Sequence, residues 1–261
     1  MLGLLASTWW LPVDVSKHGY RVDQLINVVH IFMAILFVGW GIFFVYCLSA
    51  FRQRPGHRAN PELIHAKTSK YAEIGVAIFE AVLLLGFSMP VWAAYKHQPP
   101  KPAEALQVRV IAQQFAWNFH YAGPDGIFGK TDAKYIDETA NPVGLDPNDP
   151  HGSDDIITIN NLHVIKDKPV IVRLSSKDVI HSFSVPVMRA KQDVIPGLAI
   201  PIWFEPTETG EWDIGCAQLC GNNHFKMAGR IIVHTQADFD KWVESQKLSS
   251  QPANAEEEFK Q

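Results

Sequence analysis

Between positions 24 and 51 the chain carries no Asp, Glu, Lys or Arg, and its titratable side chains there are His30, Tyr46 and Cys47. A run this long exceeds the roughly 20 residues a helix needs to cross the hydrocarbon core of a bilayer. A second run, 74–95, holds one charge, Glu80, and has Pro90 near its far end. Proline kinks a membrane helix in a way that neighbouring helices can accommodate. Two membrane helices are therefore predicted, rather than two buried helices of a soluble core. The segment between them holds Arg52, Arg54, Arg58, Lys67 and Lys70 against Glu62 alone. The positive-inside rule makes it cytoplasmic and puts both chain ends outside. Residues 1–6 are apolar but lack a basic flank and are too short for a signal-peptide core, so no cleavage is read there. Trp9, Trp10 and Trp92 fall near the predicted interfaces, where indoles are favoured.

The mean hydropathy of −0.02 averages this apolar part with a very different remainder. With 47% hydrophobic and 19% charged residues, wholesale disorder is excluded. Lys+Arg 23 against Asp+Glu 27, a net charge of −4, argues against nucleic acid as a partner. After Pro99, Pro100 and Pro102 the pattern changes to short β segments. Phe115, Trp117, Phe119 and Tyr121 alternate with polar or small residues, the period of a half-buried strand. Further strands are predicted at 105–110, 156–159, 169–174, 180–185, 199–204, 210–215 and 229–234, spaced as in a sandwich or small barrel. Residues 122–155 read as a long Gly-, Pro- and Asp-rich loop, and 236–247 as a short amphipathic helix. The expected organisation is an external segment 1–22, a first span 23–51, a cytoplasmic loop 52–71, a second span 72–96, a linker 97–103, a β domain 104–247 and a polar tail 248–261.

Chemistry concentrates between His181 and Met227. Cys216, Cys220, His224 and Met227 fall within twelve positions. Thiolate, imidazole and thioether together select copper, whereas zinc sites rarely use Met. A single blue-copper site uses one Cys and two His, so the second thiol needs a reason. Two coppers bridged by both thiolates would supply one, with His224 and His181 terminal. A Cys216–Cys220 disulfide is compatible with an external domain but leaves His224 and Met227 unexplained. A zinc site from the two cysteines, His224 and His181 is the other alternative. Haem attachment requires Cys-x-x-Cys-His, which this spacing fails. Cys47, in the first apolar run, reads as a small packing residue.

With these residues in hand, the sequence resembles subunit II of haem–copper cytochrome c oxidases over nearly its whole length. Two stretches carry the resemblance, His181–Gly197 (HSFSVPVMRAKQDVIPG) and Cys216–Met227 (CAQLCGNNHFKM). The resemblance implies a two-helix transmembrane hairpin followed by an all-β, cupredoxin-like Greek-key barrel domain, outside the plasma membrane of a bacterium. It implies that Cys216 and Cys220 bridge the two ions of a dinuclear copper A centre. His181 and His224 would be the terminal imidazoles, Met227 a weak ligand, and Gln218 a ligand through its backbone carbonyl. It also implies that electrons arrive from a cytochrome c and pass to haem in subunit I, where oxygen is reduced and protons are pumped. Subunit I and further oxidase subunits would be its partners. A membrane-anchored cupredoxin shuttle with no oxidase is the alternative, and an acid within the hairpin argues against it. A copper-free quinol-oxidase relative is disfavoured because every ligand side chain is present.

Two positions depart from the family pattern. Relatives usually have Glu at 218, whose side chain also binds magnesium at the border with subunit I. Gln218 keeps the carbonyl but loses the anionic oxygen, so that magnesium is expected to be weakened or absent. Lys191 and Asp193 match family positions at the same border. Relatives usually have Trp where Phe115 stands, and electrons would arrive through Phe115, Trp117 or Tyr121 unless the donor docks differently. Acidic residues of loop 122–155 would face a basic donor. Glu73 and Glu80, seven residues apart, share one face of the second helix. Glu73 matches the cytoplasmic mouth of a proton path, and Glu80 lies two turns deeper.

Overall fold

The computed structural model describes residues 11–58 and 67–250. Trp9, Trp10, Glu62 and the tail beyond Ser250 lie outside the described residues. The chain divides into two compact units, one of helices (residues 21–99 among those described) and one of strands (11–20 and 100–250).

In the helical unit, α1 spans Gly19–Ala50. At about 1.5 Å per residue it is longer than the roughly 30 Å apolar layer it has to cross. Its large apolar side chains point outward, Phe37 80% and Trp40 67% exposed, as a lipid or protein environment requires and water forbids. The second span opens as α2, Lys67–Leu83. Pro90 has no N–H to give the preceding turn, and its ring crowds that turn's carbonyl. The helix answers by widening into a π-helical turn, Leu84–Ser88, in which the Met89 N–H reaches back to the Leu84 carbonyl. It then continues as α3, Met89–His97. Phe32 packs against Phe79 at 4.3 Å between ring centroids, the rings tilted by 34°, joining α1 to α2.

The β unit has ten strands in two sheets, ordered β3-β2-β1-β5-β8 and β4-β10-β9-β6-β7. They are β1 Leu106–Gln113, β2 Ala116–Tyr121, β3 Ile156–Ile159, β4 Asn161–Ile165, β5 Val170–Ser176, β6 His181–Val185, β7 Ala190–Val194, β8 Ile200–Phe204, β9 Gly210–Cys216 and β10 Ala228–His234. β1 with β5 and β4 with β10 pair parallel, and the remaining pairs are antiparallel. Inward residues such as Val110, Trp117, Phe119, Phe183, Phe204 and Ile231 fill the space between the sheets. The helix α4, Gln236–Ser250, follows β10.

Three features go beyond the sequence pattern. β4 and β7 are extra strands at sheet edges. β7 reads A-K-Q-D-V, and only its terminal residues Ala190 and Val194 are buried, so its middle looks like loop. β3 and β4 belong to different sheets yet are separated by Asn160 alone, in the left-handed region at φ +60°. Its side-chain oxygen accepts from the Trp117 N–H at 2.9 Å, and its own N–H donates to the Trp117 carbonyl at 2.7 Å. That pair of bonds lets the chain turn the corner. Before α1, Val15 is fully buried in the β unit, donating to the Val187 carbonyl and accepting from the Thr207 N–H. The N-terminal segment thus completes a domain that the sequence starts at residue 104.

The long loop 122–155 is ordered by its own acids. Asp137 accepts from the Thr139 and Ala140 N–H groups, and Asn141 bonds Leu145 and Tyr135. Its end is pinned by His120 and Asp155, both fully buried and 2.5 Å apart. Asp155 also accepts from the Gly123 and Gly129 N–H groups. Burial lowers the His120 pKa, against the pull of Asp155.

Candidate metal centre

Antiparallel pairing decides where the sulfur and nitrogen groups meet. β6 and β10 both flank β9, with Phe183 opposite Cys216 and Ala228 opposite Gly215. The start of β6 (His181), the end of β9 (Cys216) and the residue before β10 (Met227) therefore share one end of the sheet. The intervening loop bends at Gly221, φ +139°, and forms a short 3₁₀ turn at His224–Lys226. It carries Cys220 and His224 back toward that end. The Cys216 N–H donates to the Met227 carbonyl and the Ala217 N–H to the Ser182 carbonyl, fixing both ends of the loop.

Six predicted ligand groups converge there. The Cys216 and Cys220 sulfurs are 3.8 Å apart, far beyond the roughly 2.05 Å of a disulfide, and both are free thiols. His181 Nδ1 lies 3.1 Å from Met227 Sδ and 4.0 Å from Cys216 Sγ. His224 Nδ1 lies 3.6 Å from Cys220 Sγ, and Met227 Sδ is 3.7 Å from the same sulfur. The Gln218 carbonyl sits 3.1 Å from Cys216 Sγ. Among the described residues, His181, Cys216 and Cys220 form the one group of three such side chains with donor atoms within 4.8 Å of one another.

The protonation pattern suits a metal. His181 Nε2 is 2.8 Å from Asp178 Oδ1. A carboxylate only accepts, so Nε2 carries a proton, and in the neutral ring the Nδ1 lone pair faces the sulfurs. Asp178 is partly buried, which opposes its ionisation. His181 and the Gln114 and Val179 N–H groups outweigh that, and its pKa falls below the usual carboxylate value. Burial, with the Cys216 thiol beside it, pushes the Cys220 thiol up to about 11. An apolar, thiol-rich nest holding a neutral thiol is one that a thiophilic cation enters by displacing a proton.

The other predicted residues are distributed as follows. Phe115 is half-buried, and a Cβ on Gly221 of the ligand loop would come within 3.1 Å of its ring. Trp117 is fully buried beneath, edge-on to His181 at 6.1 Å and to Phe183 at 5.4 Å. Tyr121, at the far end of β2, is buried against Trp242, and its hydroxyl accepts from the His163 N–H. Gln218 is exposed, as are Lys191 and Asp193 on β7. In the helical unit Glu73 accepts from the Ser69 hydroxyl at 3.2 Å, and Glu80 is exposed on the helix surface. Sequence reasoning missed the contacts of Asp178 with His181 and with the Gln114 N–H. The one local signal was an acid three residues before His181.

Residues 106–235 match the family described as cytochrome C oxidase subunit II, periplasmic domain. The "Alternative cytochrome c oxidase subunit 2" of Bradyrhizobium diazoefficiens is 36% identical over 247 residues, 94% of this chain and 86% of that relative. The chain belongs to the cytochrome c oxidase subunit II family. A cytochrome c oxidase subunit 2 of Alkalihalophilus pseudofirmus is 28% identical over 85% of the chain, which spans 57% of that relative's length. Among solved structures, the periplasmic domain of subunit II (CoxB) of Bradyrhizobium japonicum aligns over 59% of this chain and all of its own, at 28% identity and a TM-score of 0.43. As a family member this chain is a subunit of a cytochrome c oxidase and not a free electron shuttle. It lies in a bacterial inner membrane by its two spans, with the β domain on the periplasmic side.

Proposed function

We propose that this subunit receives electrons from a c-type cytochrome at a dinuclear copper A centre and hands them to haem in subunit I, for oxygen reduction coupled to proton pumping. The convergence of two unoxidised thiols, 3.8 Å apart, with two imidazole Nδ1 atoms, a thioether and a carbonyl carries this reading. Two copper ions bound there would supply one-electron storage shared between metals. Cys216, Cys220, His181, His224, Met227 and the Gln218 carbonyl would hold them. The chain's own part is to hold donors from the start of β6 and from the β9–β10 connection rigid, keep water away from buried Cys220 and Met227, and fix the His181 tautomer. Rigid donors leave little to reorganise when charge changes. Electron paramagnetic resonance on the full-length chain in its oxidase tests this. Hyperfine structure from two equivalent copper nuclei is expected, whereas a one-copper signal, or none with reduced thiols, would sink it.

The remaining roles belong to the same proposal. Phe115, half-buried over the ligand loop, is the best-placed aromatic for electron arrival, with Trp117 behind it and Tyr121 remote. Asp125, Asp132, Asp137 and Asp149 are held below their usual pKa by hydrogen bonds, so the face they form stays anionic and suits a basic donor. Glu73 opens a proton path into subunit I, and Glu80 serves the same helix face. Gln218 leaves the magnesium at the subunit I border weak or absent, with Lys191 and Asp193 beside it. Kinetics and metal analysis on purified oxidase test these together. Phe115→Leu and added salt should each slow donor oxidation, Glu73→Gln should slow proton uptake with copper intact, and Gln218→Glu should raise bound magnesium. Any of these left at the wild-type value removes that role.

A further inference from the structure

Gln114 stands in the turn between β1 and β2, outside the ligand set, yet it is bonded toward both halves of that set. Its main-chain N–H donates to Asp178 Oδ2 at 2.7 Å, across 64 residues. The other oxygen of that carboxylate is the one that holds His181 Nε2 at 2.8 Å. The Gln114 side chain turns the other way and donates from Nε2 to the Cys220 carbonyl at 2.5 Å, across 106 residues. A carbonyl only accepts, so the amide is oriented with its NH₂ toward it.

The ligand loop is shaped to receive this contact. Gly221 follows Cys220 at φ +139°, and a Cβ there would come within 2.6 Å of Gln114 Nε2 and 3.1 Å of Phe115 Cζ. Glycine at this position serves both the backbone angle and the close approach of the β1–β2 turn. His181 and Cys220 arrive on separate stretches of chain, and one turn braces the carboxylate behind the first and the carbonyl of the second.

We propose that Gln114 is a positioning residue for the metal centre, setting the spacing between the His181 side and the Cys220–His224 loop. The inference rests on the copper reading above. Outer hydrogen bonds of this kind change metal affinity by roughly 10–100-fold when removed. Gln114 is exposed, so its replacement takes nothing from the core.

The test uses the full-length chain in its oxidase, with Gln114→Leu, which removes the donor, and Gln114→Glu, which turns an acceptor toward the Cys220 carbonyl. Copper release to a chelator is expected to speed up by about 10-fold or more. The hyperfine pattern and midpoint potential are expected to shift as well, and Gly221→Ala should reproduce these changes from the opposite side. Release rate, spectrum and potential all unchanged, with only the donor KM raised, would overturn the inference and make Gln114 a surface contact for the donor. A wild-type chain that holds no copper would instead bring down the copper reading and this inference with it.

Discussion

The β domain holds two histidine pairs at different places, and they do opposite things with the same side chain. His163 and His234 are spent on each other. His163 Nδ1 and His234 Nε2 share a hydrogen bond at 2.8 Å, the rings lie within 6° of parallel, and Trp242 of α4 stacks on His163 at 4.1 Å. His181 and His224 instead point Nδ1 at sulfur, at separations too long for a covalent bond and shaped for an ion between. A buried histidine is thus no signal in itself. What each ring nitrogen faces tells packing from ligation.

The largest expected effect separates the pairs outright. His181→Ala should abolish the shared-electron copper signal and donor oxidation while the β domain stays folded. His163→Ala should leave copper content at wild type and cost roughly 1–3 kcal/mol of stability. That corresponds to about 2–4 °C in melting temperature per kcal/mol for a domain of this size. Copper quantitation and a thermal melt on both variants check this. Loss of copper from His163→Ala would break the comparison.

The candidate metal set was legible because most of its donors, His181 apart, are local. Cys216, Cys220, His224 and Met227 lie close in sequence, and few combinations of thiol, imidazole and thioether suit any metal but copper. The membrane helices were legible for a different reason: excluding charge over a whole span is a constraint that composition alone records. Gln114 was not legible, because its meaning lies in contacts across 64 and 106 residues that only the fold creates. The histidine stack was hidden likewise. β4 was unseen, so His163 had no strand to place it beside His234. The same limit applied to Val15, whose burial depends on backbone bonds to Val187 and Thr207.

A smaller effect is expected from pH. Burial, and then the neighbouring charge of His234, hold the His163 pKa down to about 4, while burial lowers His234 against the pull of Asp238 and Glu211. As pH falls through about 6.5 the unfolded chain takes up protons that the stacked pair refuses, so the unfolded state gains. Stability is therefore full above pH 6.5 and declines toward pH 4, where folded His163 also protonates. Melts across that window should show it, and His163→Gln should flatten the slope. An unchanged slope would mean that another group, such as buried His120, governs the window.

The smallest effect concerns Asp178, which orients the His181 ring. In Asp178→Asn one side-chain oxygen can still accept from His181 Nε2, so copper should remain bound. The amide NH₂ then meets the Gln114 N–H, donor against donor, and one of the two bonds that Asp178 now satisfies is lost. Removing an anion beside the centre also makes its reduction easier, so the midpoint potential should rise. The carboxylate is 29% exposed, and solvent screening keeps that rise modest. Redox titration of the copper signal measures it. A potential that stays put would show that Asp178 orients His181 without tuning it, and would narrow the difference between the two histidine pairs to geometry alone.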